Sequence, residues 1–351
     1  MKKRFLVAAM AATLVSPLAA QADATVYGNV HLSIDSPSFE DSTKNDNLDM
    51  NSNTSAIGVK GKEDLGGGMS AIFKVEFQVD PSERNSGGAL TDRDQWVGLK
   101  GSMGTVKFGT MSNNYKQMGG KIDPMYRTRL EGRGFMDTQS SLHSGAGENG
   151  GRSTNTLQYS SPKMGGMQMV FNYTIAGQDD ETLGLGFRYK SKTILAYVDY
   201  LDVQRQASSA VAADVITDSA GDTFTVAPAE AAVTAASEAV FKVGGSVKMG
   251  PVTLGLQWEF VDQDMNGIKG IVPSDSSGKA NDVIFTSLNW KVGSGNIAFT
   301  AGDNGTDDIG YAIMYNHKLS KRTNTYVGYG DNASNKADDQ QDFTLGIRHK
   351  F

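Results

Sequence analysis

The chain offers few residue types suited to catalysis, and those present are scattered. Its four histidines, His31, His143, His317 and His349, fall in separate predicted elements, and it contains no cysteine. Neither a His-Glu-x-x-His nor a Gly-x-Ser-x-Gly motif is present, so no metal-activated water or activated serine is indicated. The sequence therefore predicts a protein that is not an enzyme and that uses no metal and no cofactor.

One segment, Asp262–Gly267, resembles the beginning of a calcium-binding loop. Asp262, Asp264 and Asn266 stand at alternate positions before Gly267, as in an EF-hand. The twelfth position holds Pro273 where a bidentate glutamate is needed, and no flanking helices are indicated. A plain acidic loop is therefore favoured over a calcium site.

The segment from 111 to 151 is long for a connection without predicted structure, and it carries charges of both signs. Loops of this kind are usually functional or disordered, and composition leaves both readings open. Its charged residues include Asp123, Glu131 and Asp137 together with Lys121, Arg127, Arg129 and Arg133.

Most of the remaining chain alternates between apolar and polar residues, which is the pattern of β-strands. In one example Phe73, Val75 and Phe77 alternate with Lys74 and Glu76, so that one face is apolar and the other charged. Short turns rich in Gly and Ser alternate with longer polar loops. The polar faces of the predicted strands carry Lys74, Glu76, Lys107 and Glu259, which are expected to line a water-filled lumen.

Counting these segments predicts about sixteen strands in an all-β, transmembrane antiparallel barrel, with short periplasmic turns and long extracellular loops. A soluble β-sandwich or propeller is the alternative, but it has no need to charge one strand face so consistently. The predicted strands are roughly 24–35, 54–64, 69–79, 91–101, 104–110, 153–162, 166–176, 182–190, 193–205, 240–249, 252–263, 282–292, 295–303, 308–318, 323–331 and 341–351.

The N-terminal residues 1–22 have the features of a cleaved signal peptide: basic Lys2, Lys3 and Arg4, then an apolar stretch, then a small-residue site at Ala20–Ala22. A transmembrane anchor is the alternative, but Pro17 interrupts the apolar run. Loss of the three basic residues takes the formal net charge from −6 to −9, which argues against a nucleic-acid partner. Residues 23–351 are then the barrel domain.

In order along the chain, several short motifs resemble those of the trimeric general porins of Gram-negative bacteria. The match runs from about Thr25 to Phe351 and is specific in combination, although each motif is weak alone. The motifs are Val26-Tyr27-Gly28, Ile57-Gly58-Val59-Lys60-Gly61, Val97-Gly98-Leu99-Lys100-Gly101, Tyr159-Ser160-Ser161-Pro162, Leu319-Ser320-Lys321-Arg322-Thr323 and Gly346-Ile347-Arg348-His349-Lys350-Phe351.

The resemblance implies an outer-membrane channel for passive diffusion of small hydrophilic solutes and ions, narrowed by the infolded loop 111–151. By position relative to the motifs, Arg93 and Arg152 match wall arginines of the porin constriction. The family often has arginine before Ile57, where this chain has Ala56. Anion or cation selectivity therefore stays open at this point, as does the choice between general diffusion and a solute-specific channel.

The resemblance also implies partners: two further copies in a homotrimer, outer-membrane lipid and lipopolysaccharide, and the barrel-assembly machinery, which would read the C-terminal Phe351. The Ala-rich segment 206–239 is expected to be a long extracellular loop, with a short helix over Ala229–Val240 as the alternative. Barrel proteases and lipases are the enzymatic alternative, but they are built on ten or twelve strands.

Overall fold

A computed structural model describes most of the chain between Asp23 and Phe351. The described residues are 23–39, 46–83, 90–136, 138–139, 152–175, 180–205, 214–217, 223–227, 236–261, 282–305, 309–332 and 340–351. The predicted signal peptide 1–22, Asp137 and the candidate calcium segment Asp262–Gly267 lie outside these residues. No helix within them is long and apolar enough to cross a membrane.

The strands follow one another as an antiparallel meander that closes on itself, because β1 pairs with both β3 and β19. In chain order the elements are β1 (Asp23–Phe39), β2 (Asp49–Ser52), β3 (Ala56–Gly66), β4 (Met69–Gln78), β5 (Thr91–Gly101), β6 (Gly104–Met111), α1 (Asn114–Ile122), β7 (Ser153–Ser160), β8 (Met167–Thr174), β9 (Asp180–Lys190), β10 (Ile194–Arg205), β11 (Asp214–Thr217), β12 (Thr223–Ala227), β13 (Ala236–Met249), β14 (Val252–Val261), β15 (Val283–Val292), β16 (Gly295–Asp303), β17 (Gly310–Lys318), β18 (Thr323–Asp331) and β19 (Gln340–Lys350).

Sixteen of these strands make up the barrel wall, and the predicted sixteen-stranded antiparallel barrel is confirmed. The short strand β2 only extends the pairing of β1 beyond the end of β3. Strands β11 and β12 form a separate hairpin outside the wall.

The Ala-rich segment differs from the sequence expectation in two places. Part of it pairs as the β11–β12 hairpin, and β13 begins at Ala236, where its backbone pairs with β10 as far as Arg205. The helix considered for Ala229–Val240 is therefore wrong for Ala236–Val240. The ladder with β10 satisfies those backbone groups, and alanine's helix propensity is too weak to compete with such tertiary pairing.

Side-chain burial in the wall is the reverse of that in a water-soluble protein. On β19, Phe343, Leu345 and Ile347 keep about half of their surface exposed, while Asp342 and Thr344, which alternate with them, are fully buried. Since successive strand residues point to opposite faces, the apolar set faces outward and the polar set faces the lumen. This is the arrangement that a lipid-embedded barrel requires.

Tight turns join the strands at one end of the barrel. Gly66, Gly67 and Gly68 between β3 and β4 all have positive φ, between +60° and +79°. Side chains with a Cβ rarely adopt this conformation, so the glycines allow the reversal to be short. The opposite end carries the long connections, of which the one after β6 enters the barrel.

Candidate functional site

The described part of the connection between β6 and β7, residues 112–136, 138–139 and 152, lies inside the barrel and contains α1. The side chain of Asn113 caps this helix by accepting the backbone N–H of Lys116 at 3.0 Å. A helix of nine residues is marginal by itself, so its position depends on contacts with the wall. Those contacts reach β8, β9, β10, β13 and β14.

Buried polar contacts attach α1 to the wall. Tyr115 donates its hydroxyl proton to Glu259 Oε2 at 2.9 Å, and Lys242 donates to the Tyr115 carbonyl with its ammonium group 3.9 Å from the tyrosine ring centre. Asn114 Nδ2 donates to Asp199 Oδ1 at 2.8 Å. All five side chains are at most 2% exposed. They form a buried polar network, called here the anchor network.

Further polar contacts and a hydrophobic cluster attach the rest of the described loop to the wall. Ser287 donates to the Ile122 carbonyl at 2.6 Å, and Arg129 Nε donates to Asp342 Oδ2 at 2.6 Å across the lumen face of β19. The loop residues in the shared hydrophobic cluster are Met118, Ile122, Met125, Leu130, Phe135 and Met136, and the wall residues are Tyr197, Phe285, Ala298, Ala312, Met314 and Tyr326.

A charged group of residues, called here the wall cluster, lies on β4, on β5 and just before β7. Arg93 Nε is 2.6 Å from Glu76 Oε1, and Arg152 Nε is 2.6 Å from Asp94 Oδ1. Lys74 Nζ bridges the two acids, at 3.0 Å from Glu76 Oε2 and 2.7 Å from Asp94 Oδ2. The cluster therefore holds three cations and two carboxylates.

A β-bulge brings two consecutive residues of the wall cluster to the lumen. Val75 pairs with Gln95 but Phe77 pairs with Asp92, so β5 contains one residue more than β4 at this point. Strict alternation would send Arg93 and Asp94 to opposite faces. The extra residue breaks the alternation and allows both to join the cluster, as bulges near functional sites commonly do.

The two acids in the described part of the loop accept hydrogen bonds from its own backbone. Asp123 accepts the N–H groups of Met125 at 2.8 Å and Gly132 at 3.0 Å, and Glu131 accepts the N–H of Arg127 at 2.8 Å. Complete burial, followed by the charge of Glu131, raises the pKa of Asp123 to about 7 against those hydrogen bonds. With this raised pKa, Asp123 contributes only part of a negative charge near pH 7.

Two arginines of the loop lie against the ring of Tyr126, and Lys116 lies near cations of the loop and of the wall cluster. The guanidinium groups of Arg127 and Arg133 lie 5.4 Å and 5.8 Å from the ring centre of Tyr126. Burial, and then the positive charges of Arg133, Arg152 and Arg93, lower the pKa of Lys116 to about 6. Cations of the loop and of the wall cluster are thus near enough to repel one another.

The other predicted site residues are distributed around this centre. Lys107 lies over the Trp96 ring at 4.5 Å, with Nζ 3.4 Å from Gln158 Oε1. Glu259 was expected to contact channel water, but it is completely buried because Tyr115 and α1 cover it. Phe351 ends the chain in a backbone pairing with Gly28.

Sequence reasoning missed several members of the site. Asp94 was overlooked because only the bulge turns it inward together with Arg93. Asn114, Tyr115, Asp199 and Lys242 were overlooked because their roles depend on where the loop docks. The charged residues Asp199 and Lys242 in the middle of predicted strands were the available signal, since buried charges need partners.

Comparison with known proteins agrees with this geometry. A profile of the Gram-negative porin family matches residues 7–338. An outer membrane porin of Bordetella pertussis is 26% identical, and the alignment covers 100% of both chains.

Two solved structures share the fold. An anion-selective porin from Comamonas acidovorans matches with a TM-score of 0.68 and 19% identity, over 94% of this chain and 100% of that one. An in-vitro folded outer membrane protein of Vibrio cholerae, in its trimer form, matches with a TM-score of 0.60 and 15% identity, over 94% and 99%. The resemblance seen in the sequence motifs is confirmed, and the chain belongs to the Gram-negative porins, outer-membrane barrels that serve as channels for passive diffusion.

Proposed function

We propose that this porin favours anions, and that the wall cluster and the loop arginines form its constriction. The supporting observation is the balance between acidic and basic side chains. Among the described residues of the cluster and loop, Glu76 and Asp94 are paired with cations, and Asp123 and Glu131 bind backbone N–H groups. The wall cluster and the described part of loop 111–151 together contain eight lysine and arginine side chains and four carboxylates, which leaves a positive surplus.

The surplus acts on ions because of where it lies. Arginine remains charged at any physiological pH, and low-dielectric walls around a narrow passage concentrate its potential. Rings of arginine and lysine are a recognised basis for anion preference in pores. Chloride would therefore enter this constriction more readily than potassium. The porin from Comamonas acidovorans, which shares the fold, bears the name anion-selective.

A permeability measurement with charge-neutralised variants tests this proposal. Arg152→Gln removes a charge from the wall cluster and Arg127→Gln removes one from the loop. Each should lower the chloride-to-potassium permeability ratio by about twofold or more. The reason is that each removes one positive charge from the small surplus of the constriction, where the potential is concentrated. The ratio is obtained from the reversal potential of the reconstituted channel in a KCl gradient.

Lys248→Gln is the matched control, since Lys248 is an exposed residue near the β13–β14 turn, away from the cluster. It should leave the permeability ratio unchanged. A wild-type channel that prefers potassium would contradict the proposal, and so would Arg152→Gln and Arg127→Gln channels that behave like the control.

We also propose that three copies assemble through the outer faces of the first strands. Support comes from membership of the family, from the trimer form of the Vibrio cholerae relative in fold, and from the apolar outer faces of β3, β5 and β6, where Val59, Val97, Leu99 and Phe108 are exposed. The C-terminal Phe351, 47% exposed, remains our candidate for the assembly signal.

A further inference from the structure

A cavity of about 780 Å³ opens between the underside of the infolded loop and the short turns of the barrel. Pro124, Tyr126 and Thr128 of the loop form one end of it. Lys321 and Arg322, in the β17–β18 turn, lie at the other end. Because short turns face the periplasm in such barrels, the cavity lies on the periplasmic side of the constriction.

The lining of this cavity is strongly basic. It includes Lys318, Lys321, Arg322, Arg348 and Lys350, and none of the described lining residues is acidic. Within the part of the chain that the structure describes, none of the five takes part in an ion pair. Five cations without carboxylate partners repel one another, and a bound anion would relieve that repulsion.

The strand register brings these cations close together. Lys318 pairs across β17 and β18 with Asn324, which pairs in turn with Arg348 on β19. Lys350 donates its backbone N–H to the Arg322 carbonyl at 2.9 Å. With strands about 4.8 Å apart and residues about 3.4 Å apart along a strand, the backbones of Lys318, Arg348 and Lys350 fall within roughly 12 Å of one another.

The two ends of the cavity differ in chemistry. The turn end offers the ammonium and guanidinium groups of its lysines and arginines. Such donors suit the oxygens of a doubly charged phosphate. The loop end presents Pro124, Tyr126 and Met314, which suit the uncharged organic part of a ligand.

We propose that this cavity is a binding site for small phosphate monoesters, with the phosphate at the turn end and the organic body against the loop. Its volume lies within the range of small-molecule sites, about 300–1,000 Å³, and exceeds what inorganic phosphate alone would fill. The inference rests on the proposed anion preference, which brings such solutes through the constriction. It adds a saturable site to a channel that otherwise works by diffusion.

Single-channel recording of the full barrel in about 0.1 M KCl tests the site, since screening there leaves charges effective over about 10 Å. Glucose 6-phosphate added to both chambers should reduce the conductance and reach saturation, whereas glucose should not. The double variant Lys318→Gln/Lys321→Gln should raise the half-blocking concentration at least tenfold. Lys318 and Lys321 do not belong to the proposed constriction, so the channel of the double variant should keep its chloride preference.

Lys248→Gln is the control here also, because it removes one exposed lysine near a short turn without touching the cavity. Its half-blocking concentration should match that of the wild type. A block that is equal in the double variant and the wild type would overturn the site, and so would the absence of saturable block. In either case a retained chloride preference would show that the proposed constriction stands independently.

Discussion

The anchor network attaches the infolded loop to β10, β13 and β14, whereas the wall cluster lies on β4, on β5 and just before β7. Lys242, Glu259 and Tyr115 of the network are at most 2% exposed. In the wall cluster, the side chains of Lys74 and Asp94 are 20% exposed and that of Arg152 is 12% exposed, whereas those of Arg93 and Glu76 are 4% and 9% exposed. Both regions contain charged side chains, but only the wall cluster includes some with exposed surface, which we propose are within reach of passing ions.

This difference separates pore size from selectivity. Buried charges contribute little net stability, but removing one partner leaves the other unpaired at a high cost. The anchor network therefore fixes where the loop lies, and hence the width of the channel. We propose that the partly exposed wall cluster instead sets the sign of the potential that ions meet. Variants of the anchor network should therefore change the conductance, whereas variants of the wall cluster should change the permeability ratio.

The largest effect is expected from breaking the anchor network. Lys242→Met removes the cation between Tyr115 and the acids behind it, and should destabilise the folded barrel by about 3–5 kcal/mol. Unfolding in urea would measure the loss. The conductance should also become larger and noisier, because the loop loses its attachment, while the chloride preference changes less than the conductance.

Lys248→Met is a matched control six residues along the same strand, at an exposed position. It should alter neither the urea midpoint nor the conductance. If Lys242→Met were as stable and as quiet as this control, the buried contacts would not be what holds the loop.

A pH titration should produce the next largest effect. As the pH falls from 8 to 5, Asp123 with a pKa of about 7 loses its negative charge and Lys116 with a pKa of about 6 becomes positive. Both changes add positive charge to the loop, so the chloride-to-potassium permeability ratio should rise by about twofold or more. Reversal potentials at several pH values would record it.

Two variants assign the steps of this titration. Asp123→Asn should remove the change near pH 7, and Lys116→Met should remove the change near pH 6. A titration curve that neither variant alters would mean that the loop charges do not act on the permeating ions.

The smallest effect is expected from a single acid of the wall cluster. Asp94→Asn leaves Arg152 and Lys74 without their shared carboxylate, so the net charge of the cluster rises by one and the chloride preference should increase by about twofold. Asp92→Asn, on the same strand but exposed and bonded only to Gln95 among the described contacts, is the control. Equal shifts in both variants would remove the special role of the cluster.

The sequence predicted the wall of the barrel well and the interior less completely. Alternation is a local property, so the strand face that residues such as Phe73 and Lys74 occupy can be predicted without knowledge of the fold. The entry of loop 111–151 came from family resemblance, because composition alone left it undecided. The β5 bulge and the docking of Tyr115 depend on register and on distant strands, which no local pattern encodes.

The reversal potential of the wild-type channel at low and high salt tests the central claim most directly. At about 0.1 M KCl the potential should have the sign of chloride preference, and toward about 1 M it should decline, because the screening length falls from about 10 Å to about 3 Å. A potential near zero at low salt, or one with the sign of potassium preference, would contradict the account.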